Sequence, residues 1–186
     1  MSRYPLLTQE TAPSSSQPLL QRVLNTNGFL PNLVAVLAHA PSALETYLTV
    51  GEINGRSSLS LTEREVIQIT AASLHGCEFC VAGHTAVATK KAGLGKALII
   101  QLQNRGKTGD ERLDALAQFV RVVIVSRGAV AEGELQAFLE AGFTQAQALE
   151  VVLGVSLATL CNFANNLAQN SINPELQPYR PEVFQS

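Results

Sequence analysis

Apolar segments rich in Ala and Leu make up most of the chain, and Pro or Gly separates one segment from the next. Pro31 and Pro41 suit the first turn of a helix. Gly76, Gly93 and Gly95 suit positions just after a helix ends. The pattern therefore predicts an all-α fold, with helices near 31–39, 41–54, 62–74, 77–92, 96–104, 110–127, 132–141 and 144–170.

The segment 110–127 is the one whose pattern also fits a strand. Its second half is rich in Val and Ile, whose β-branched side chains favour strands. Over the whole window, however, the apolar residues keep the i, i+3, i+4 spacing of a helix. These residues are Leu113, Leu116, Phe119, Val120, Val123 and Ile124. The longer pattern predicts a helix.

The segment 144–170 carries apolar residues at helical spacing and predicts a helix that is central to the core. The residues of this pattern are Leu149, Val152, Leu153, Ser156, Leu160, Phe163 and Leu167. Cys161 lies in the same apolar segment, beside Leu160 and Phe163, and we interpret it as a core residue.

The two ends of the chain differ from the middle. The first residues are rich in Pro, Ser, Thr and Gln, and three prolines, Pro174, Pro178 and Pro181, predict an extended tail. Apolar residues would anchor this tail on the body or on a neighbouring subunit: Leu176, Tyr179, Val183 and Phe184. The predicted organisation is an extended arm at 1–18, a helical domain at 19–172 and an extended tail at 173–186.

Composition limits the classes of function. The 186 residues suffice for one domain with a core, 46% of them are apolar, and the net charge is −2. Without a basic patch or Trp, and with 5% aromatic residues, nucleic-acid binding is not expected. The N-terminus lacks the apolar run of a signal peptide, and the run Val151 to Cys161 is too short to span a bilayer. We expect a cytoplasmic protein that binds no membrane.

One short motif carries most of the chemistry. Cys77, Cys80 and His84 form the pattern Cys-x2-Cys-x3-His. If a helix begins at Cys77, the three side chains lie on one face, and the imidazole is one turn from the second thiol. The unpaired N–H groups of a first helical turn favour a thiolate over a thiol. A thiolate beside a partner thiol is what a peroxidase or a disulfide exchanger needs.

Glu65 lies twelve positions before Cys77, and its role depends on how two helices meet. Thr62 and Glu65 have the spacing of a capping box, which is a purely structural interpretation of Glu65. Glu65 also lies roughly 16 Å before the Gly76 break along a helix axis, and His84 lies roughly 12 Å after it. In an antiparallel hairpin the two residues would meet, and the carboxylate would orient the imidazole as in a catalytic triad.

Other interpretations of the same residues stay open. His75, Cys77, Cys80 and His84 could form a Cys2His2 zinc site, although no second pair of ligands exists elsewhere. His75 is more typical of a helix C-terminal cap, or its side chain could position the site residues without reacting itself. His39 fits a residue at the end of a helix.

Taken together, Glu65, Cys77, Cys80 and His84 resemble the signature of the alkylhydroperoxidase D-like branch of the carboxymuconolactone decarboxylase family. The opening 28–33, the helix start at Pro41 and the block 59–84 are similar to this family as well, and about 150 residues are compatible. The resemblance implies an AhpD-like bundle of helices, with the motif at the N-terminus of a helix within a helical hairpin. It also implies a homo-oligomer, from dimer to trimer or hexamer.

The family also implies roles for the four residues. Cys80 matches the nucleophile, Cys77 the resolving cysteine, His84 the base and Glu65 the relay carboxylate. Phe79 stands where the best-known members have a histidine, so one auxiliary proton relay is missing.

We therefore expect a thiol-dependent hydroperoxide reductase that uses a peroxide and a dithiol or protein-thiol reductant, with no metal or organic cofactor. A thiol–disulfide oxidoreductase or redox sensor with little peroxidase activity is the alternative. A non-catalytic oligomeric scaffold is a third interpretation.

Overall fold

The structure, a computed structural model, describes residues 2–184, and every regular element within them is helical. The elements are α1 (Gln17–Asn27), α2 (Asn32–Leu37), α3 (Pro41–Gly55), α4 (Leu61–Leu74), α5 (Glu78–Lys90), α6 (Lys96–Gln103), α7 (Glu111–Val125), α8 (Glu132–Glu140), α9 (Gln145–Ala168) and two 3-10 helices, Pro174–Tyr179 and Glu182–Phe184. The predicted all-α fold is confirmed, including the helix in the Val-rich segment. Met1, Gln185 and Ser186, which belong to the predicted arm and tail, lie outside the described residues.

Two local predictions at the chain ends need correction. Helix α1 was not predicted and begins within the segment expected to be an extended arm. Pro18 in its first turn and Gly28, with φ of +76°, at its C-cap define it. The tail forms 3-10 turns where an extended chain was expected, since the φ angle of proline suits either conformation.

Helix α4 is the centre of the fold, because it packs against α5, α7 and α9. Its residues from Glu65 to Ser73 are all buried. Two apolar clusters lie around it. One contains Val66, Ile69 and the stacked rings of Phe119 and Phe138, whose centroids are 4.1 Å apart. The second cluster contains Leu20, Leu33, Leu44, Cys77, Phe79, Cys80, Leu157 and Cys161, so the cysteine motif is part of the core.

Helix α9 is central as predicted, since it packs against α4 and four other helices, but the residues of its predicted apolar pattern do not form its buried face. Leu149 and Phe163 are 72% and 56% exposed, and Val152 and Leu167 are exposed too. The buried residues of α9 are mostly small or polar: Gly154, Ala158, Cys161, Asn162, Asn165 and Ala168, together with Val151 and Leu157. The reason is close packing on α4, since a Cβ at position 154 would lie 3.0 Å from Ile67.

The exposed stripe of α9 is where the predicted self-association would bury apolar surface, and that association stays a prediction.

Helix α9 is also long and apolar enough, by length and composition, to cross a membrane. This is weak evidence for a span, because the core helix of a soluble protein passes the same test.

The capping residue of α4 lies two positions before the predicted one. The capping box is formed by Ser60 and Glu63: the Glu63 N–H donates to Ser60 Oγ at 3.2 Å, and the Ser60 N–H donates to the Glu63 carboxylate at 2.8 Å. The Thr62 and Glu65 pair predicted for this role has the same spacing but lies inside the helix, which begins at Leu61. The side chain of Glu65 therefore takes no part in the capping box.

The Ser60 capping box should contribute measurably to stability. Ser60→Ala should lower the free energy of unfolding by about 1 kcal/mol, because one N–H of the first turn loses its acceptor. Thr62→Ala, the matched control, should change it by much less. Urea unfolding of the two variants distinguishes the boxes, and a larger loss for Thr62→Ala would contradict the observed one.

Candidate functional site

The motif is placed by a tight turn between α4 and α5. His75 is the C-cap of α4, and Gly76 follows with φ of +68°, a left-handed conformation that favours glycine. The Cys77 N–H then donates to the Ala72 carbonyl at 2.9 Å, which folds the chain back. Cys77 becomes the N-cap of α5, so the second cysteine of the motif lies in the first helical turn.

The two thiols are free, buried and differently held. Cys77 is 1% exposed and Cys80 is 4% exposed. The Cys80 N–H donates to the sulfur of Cys77 at 3.3 Å. The Cys80 sulfur in turn accepts a hydrogen bond from the Asn165 side-chain amide at 3.2 Å. Only Cys80 is therefore held by a side-chain donor from outside the motif.

These contacts separate the acidities of the two thiols. Burial alone would raise the pKa of Cys80, but the Cys77 thiol, the charge of His84 and the amides of α9 outweigh it and lower this pKa. The pKa of Cys77 is raised, first because its thiol donates to the Cys80 thiolate and then by burial. The site therefore favours a thiolate at Cys80 and a thiol at Cys77.

Glu65 and His84 meet across the α4–α5 hairpin. The Nδ1–H of His84 donates to the Glu65 carboxylate at 2.9 Å, and Glu65 is 6% exposed. Burial would lower the pKa of His84, but the charge and the hydrogen bond of Glu65 outweigh it and raise this pKa. The carboxylate thus fixes the tautomer of the neutral ring and leaves Nε2 to exchange a proton with sulfur or substrate.

Sequence reasoning missed the contribution of α9 to this site. Asn165, 3% exposed, holds Cys80, and its Oδ1 accepts a hydrogen bond from Asn170 at 2.7 Å. Asn162, 1% exposed, accepts from His75 Nδ1 at 3.0 Å. The signal was present in the sequence, because two amides within an apolar helix need partners wherever they are buried.

Two cavities adjoin the site. The larger, about 400 Å³, has apolar walls that include Phe29, Leu33, Phe79 and Leu176, and both Cys80 and His84 line it. A second cavity of about 350 Å³ also reaches His84. Tyr47 and Cys161 line both spaces, so the third cysteine is buried as predicted but also borders the cavities. Burial raises the pKa of Tyr47, which keeps its hydroxyl protonated.

The zinc interpretation is not supported by the placement of His75. Its ring contacts Asn162 and packs edge-on against Phe163, with centroids 5.1 Å apart. Within residues 2–184, no group of three or more His, Cys, Asp or Glu residues is arranged to hold a metal ion. His39 lies away from the motif, and its Nε2 donates to the Pro5 carbonyl at 2.8 Å.

Comparison with known proteins places these features in context. The profile of the carboxymuconolactone decarboxylase family matches residues 41–104, which include Glu65 and the whole cysteine motif. No curated protein matches the sequence. An alkylhydroperoxidase AhpD core structure, described as an uncharacterized peroxidase-related protein from Ralstonia eutropha JMP134, is similar over 94% of each chain, with a TM-score of 0.83 and 24% identity.

Two further structures are similar over nearly their whole length. An uncharacterized peroxidase-related protein from Silicibacter sp. TM1040 has a TM-score of 0.79 at 19% identity, over 94% of this chain and 92% of that one. The debrominase Bmp8, solved with 2,3,4-tribromopyrrole, has a TM-score of 0.78 at 14% identity, over 96% and 97%. At these identities the likeness concerns the fold.

Proposed function

Because the chain belongs to the carboxymuconolactone decarboxylase family and has the AhpD-like fold, we propose that it is a thiol-dependent hydroperoxide reductase. One observation carries the proposal. Cys80, whose sulfur accepts a hydrogen bond from Asn165 and whose pKa is lowered by the Cys77 thiol and the charge of His84, lines a cavity large enough for an organic peroxide. These are the requirements of a thiolate that attacks a substrate from the apolar cavity.

The reaction proceeds in two steps. The Cys80 thiolate attacks the outer oxygen of the hydroperoxide, the O–O bond breaks, and the alkoxide leaves as an alcohol with a proton from His84. Cys80 is then a sulfenic acid, and the sulfur of Cys77 attacks it. The Cys77–Cys80 disulfide forms, and the hydroxyl leaves as water with the proton of the Cys77 thiol. One hydroperoxide is reduced for each pair of thiols oxidised.

His84 supplies the proton to the leaving alkoxide by itself, because Phe79 replaces the histidine that serves as an auxiliary proton relay in the best-known members. With Glu65 at Nδ1, a protonated His84 presents Nε2–H for transfer, and the Cys80 thiolate and the imidazolium stabilise each other. Phe79, 7% exposed, instead forms part of the apolar cavity wall. In this proposal, position 79 shapes the substrate space and does not move protons.

Burial argues against a disulfide exchanger that acts on folded proteins. Both thiols are nearly inaccessible, so a disulfide fixed at the surface of a folded protein would have to open the core to reach either sulfur, a barrier that concerns folded partners and not small molecules or extended segments. A small oxidant meets no such barrier, because the cavity already leads to Cys80. We therefore favour peroxide as the oxidant over the exchange alternative.

A second candidate reaction is the reductive removal of halogen from an aromatic ring. The apolar cavity carries Phe29 and Phe79 beside Cys80 and has room for a flat ring, and the Bmp8 structure was solved with such a compound. The Cys80 thiolate would take the halogen, the ring carbon would gain a proton, and Cys77 would displace halide as the disulfide forms. Here too one substrate is reduced for each thiol pair oxidised.

A panel of oxidants tests the proposal. We expect the reduced protein, with excess dithiothreitol, to consume cumene hydroperoxide catalytically and to form the corresponding alcohol. 2,3,4-Tribromopyrrole, with bromide release as the readout, tests the second candidate in the same assay. Alcohol formation no faster than with dithiothreitol alone would contradict the peroxidase proposal.

A further inference from the structure

The two cysteines of the motif border different spaces. Cys80 lines the apolar cavity with His84, whereas Cys77 does not. Cys77 lines a separate surface depression of about 250 Å³, which Cys80 does not reach. Phe79 borders both spaces. A disulfide between the two cysteines would therefore join a residue that borders the depression to a residue that borders the cavity.

The chemistry of the depression differs from that of the cavity. Four side-chain amides line it, all from the C-terminal end of α9 and the residues that follow: Asn165, Asn166, Gln169 and Asn170. The other lining residues are Gly76, Cys77, Glu78 and Phe79, and Glu78 is paired with Arg180. Such a surface offers hydrogen bonds to neutral polar groups, such as peptide amides, and no unpaired charge that would select an ion.

The stabilisation of sulfur is also one-sided. When a thiolate cleaves a disulfide, it bonds to one sulfur and expels the other, and the more acidic thiol leaves faster. The pKa of Cys80 is lowered by the Cys77 thiol and then by His84 and the Asn165 amide, and the last two contacts remain when Cys77 is bonded to a donor. Cys77 accepts only the Cys80 N–H, and its pKa is raised. Attack at Cys77 therefore expels the better leaving group into contacts that already exist.

We propose that the electron donor docks in the amide-lined depression and attacks Cys77, while the oxidant reaches Cys80 through the apolar cavity. The donor is an uncharged dithiol of small or extended form, with amide groups that pair with Asn166 and its neighbours. The oxidising half of this scheme rests on the proposed function, but the reducing half does not.

The reducing half balances within the donor. One donor thiolate bonds to the sulfur of Cys77, the Cys77–Cys80 bond breaks, and Cys80 leaves as a thiolate. The second donor thiol then attacks the donor sulfur of this mixed disulfide, and Cys77 is released as a thiolate that takes a proton. The donor departs as a disulfide, having lost two electrons.

The test blocks each opening in turn and measures the two half-reactions separately. The disulfide form is prepared with diamide, so that no peroxide is needed, and reduced with a capped, uncharged peptide dithiol. Asn166→Trp fills the depression and should slow this reduction about tenfold, while cumene hydroperoxide oxidation of the reduced form stays unchanged. Val87→Trp fills the cavity, which Val87 lines, and should slow the oxidation by cumene hydroperoxide while the reduction of the disulfide form stays unchanged. Thermal melts check that both variants fold.

A nearly isosteric variant, assayed with two peptides of opposite charge, serves as a check against misfolding. Asn166→Asp should slow reduction by a capped dithiol peptide that carries a carboxylate, relative to one that carries an ammonium group, and should leave oxidation unchanged. Reduction that is slowed by Val87→Trp and not by Asn166→Trp would overturn the proposal. If cumene hydroperoxide does not oxidise the reduced wild-type protein, the function proposed above fails, but the reduction experiment still decides where the donor attacks.

Discussion

Cys80→Ser should abolish peroxide reduction, with a loss of at least about 10³-fold in kcat/KM, because the attacking thiolate is gone. A serine hydroxyl in the same place stays protonated and cannot accept oxygen from the peroxide. Cys77→Ser should behave differently. It keeps the Cys80 thiolate, so one equivalent of cumene hydroperoxide should still oxidise it to a sulfenic acid, but no internal disulfide can follow. Steady-state consumption of cumene hydroperoxide measures the first outcome, and mass spectrometry after dimedone trapping measures the second.

This pair of variants also decides the order of the two cysteines. Serine retains most of the volume of cysteine at both positions, so each variant is a control for the other. Sulfenic acid at Cys77 in the Cys80→Ser variant, with none at Cys80 in the Cys77→Ser variant, would contradict the assignment and make Cys77 the attacker.

Glu65→Gln should shift the pH dependence of Cys80 reactivity to higher pH. The amide can still accept the hydrogen bond from His84 Nδ1, so the geometry is kept while the charge is lost. Without that charge the pKa of His84 falls, and the ring is neutral over more of the pH range. The pKa of Cys80 then rises toward its ordinary value of 9.0, because the hydrogen bond from the Cys77 thiol remains but the charge of His84, which also lowers this pKa, is missing.

The sign of the effect follows from the thiolate population. Wild-type alkylation by iodoacetamide should fall only as pH drops below the lowered pKa of Cys80, whereas the variant should lose reactivity at higher pH. At a pH between the two pKa values, each unit by which the pKa of the variant lies above that pH reduces its rate about tenfold. Glu63→Gln is the matched control, because Glu63 lies in the same helix and is buried but bonds Ser60 and Arg112. Equal profiles for wild type and Glu65→Gln would contradict the role of the carboxylate.

The parts of the site that lie close in sequence could be predicted from it. Gly76 separates two helices of similar length, so an antiparallel hairpin was the simplest arrangement. This hairpin brings the Glu65 carboxylate to 2.9 Å from His84 Nδ1. The start at Cys77 followed from the same break. Local spacing defines such a site because the two helices are consecutive and joined by a short turn.

The contributions from distant segments could not be predicted in this way. Helix α9 is apolar on nearly every side, so periodicity did not identify the face with Gly154 and Asn165 as the buried one. That choice is made by packing on α4, which requires small residues. The capping box was ambiguous for a simpler reason: Ser60 and Thr62 each precede a glutamate at the same spacing, and only the position of Leu61 in the helix separates them.

The central claim is that Cys80 is a peroxide-reactive thiolate with Cys77 as its resolving partner. The most direct measurement adds one equivalent of cumene hydroperoxide to the fully reduced protein, with no donor, followed by rapid acid quenching, alkylation and peptide mapping. We predict a Cys77–Cys80 disulfide that forms much faster than free cysteine is oxidised under the same conditions, with Cys161 still reduced. Oxidation no faster than that of free cysteine, or located at Cys161, would contradict it.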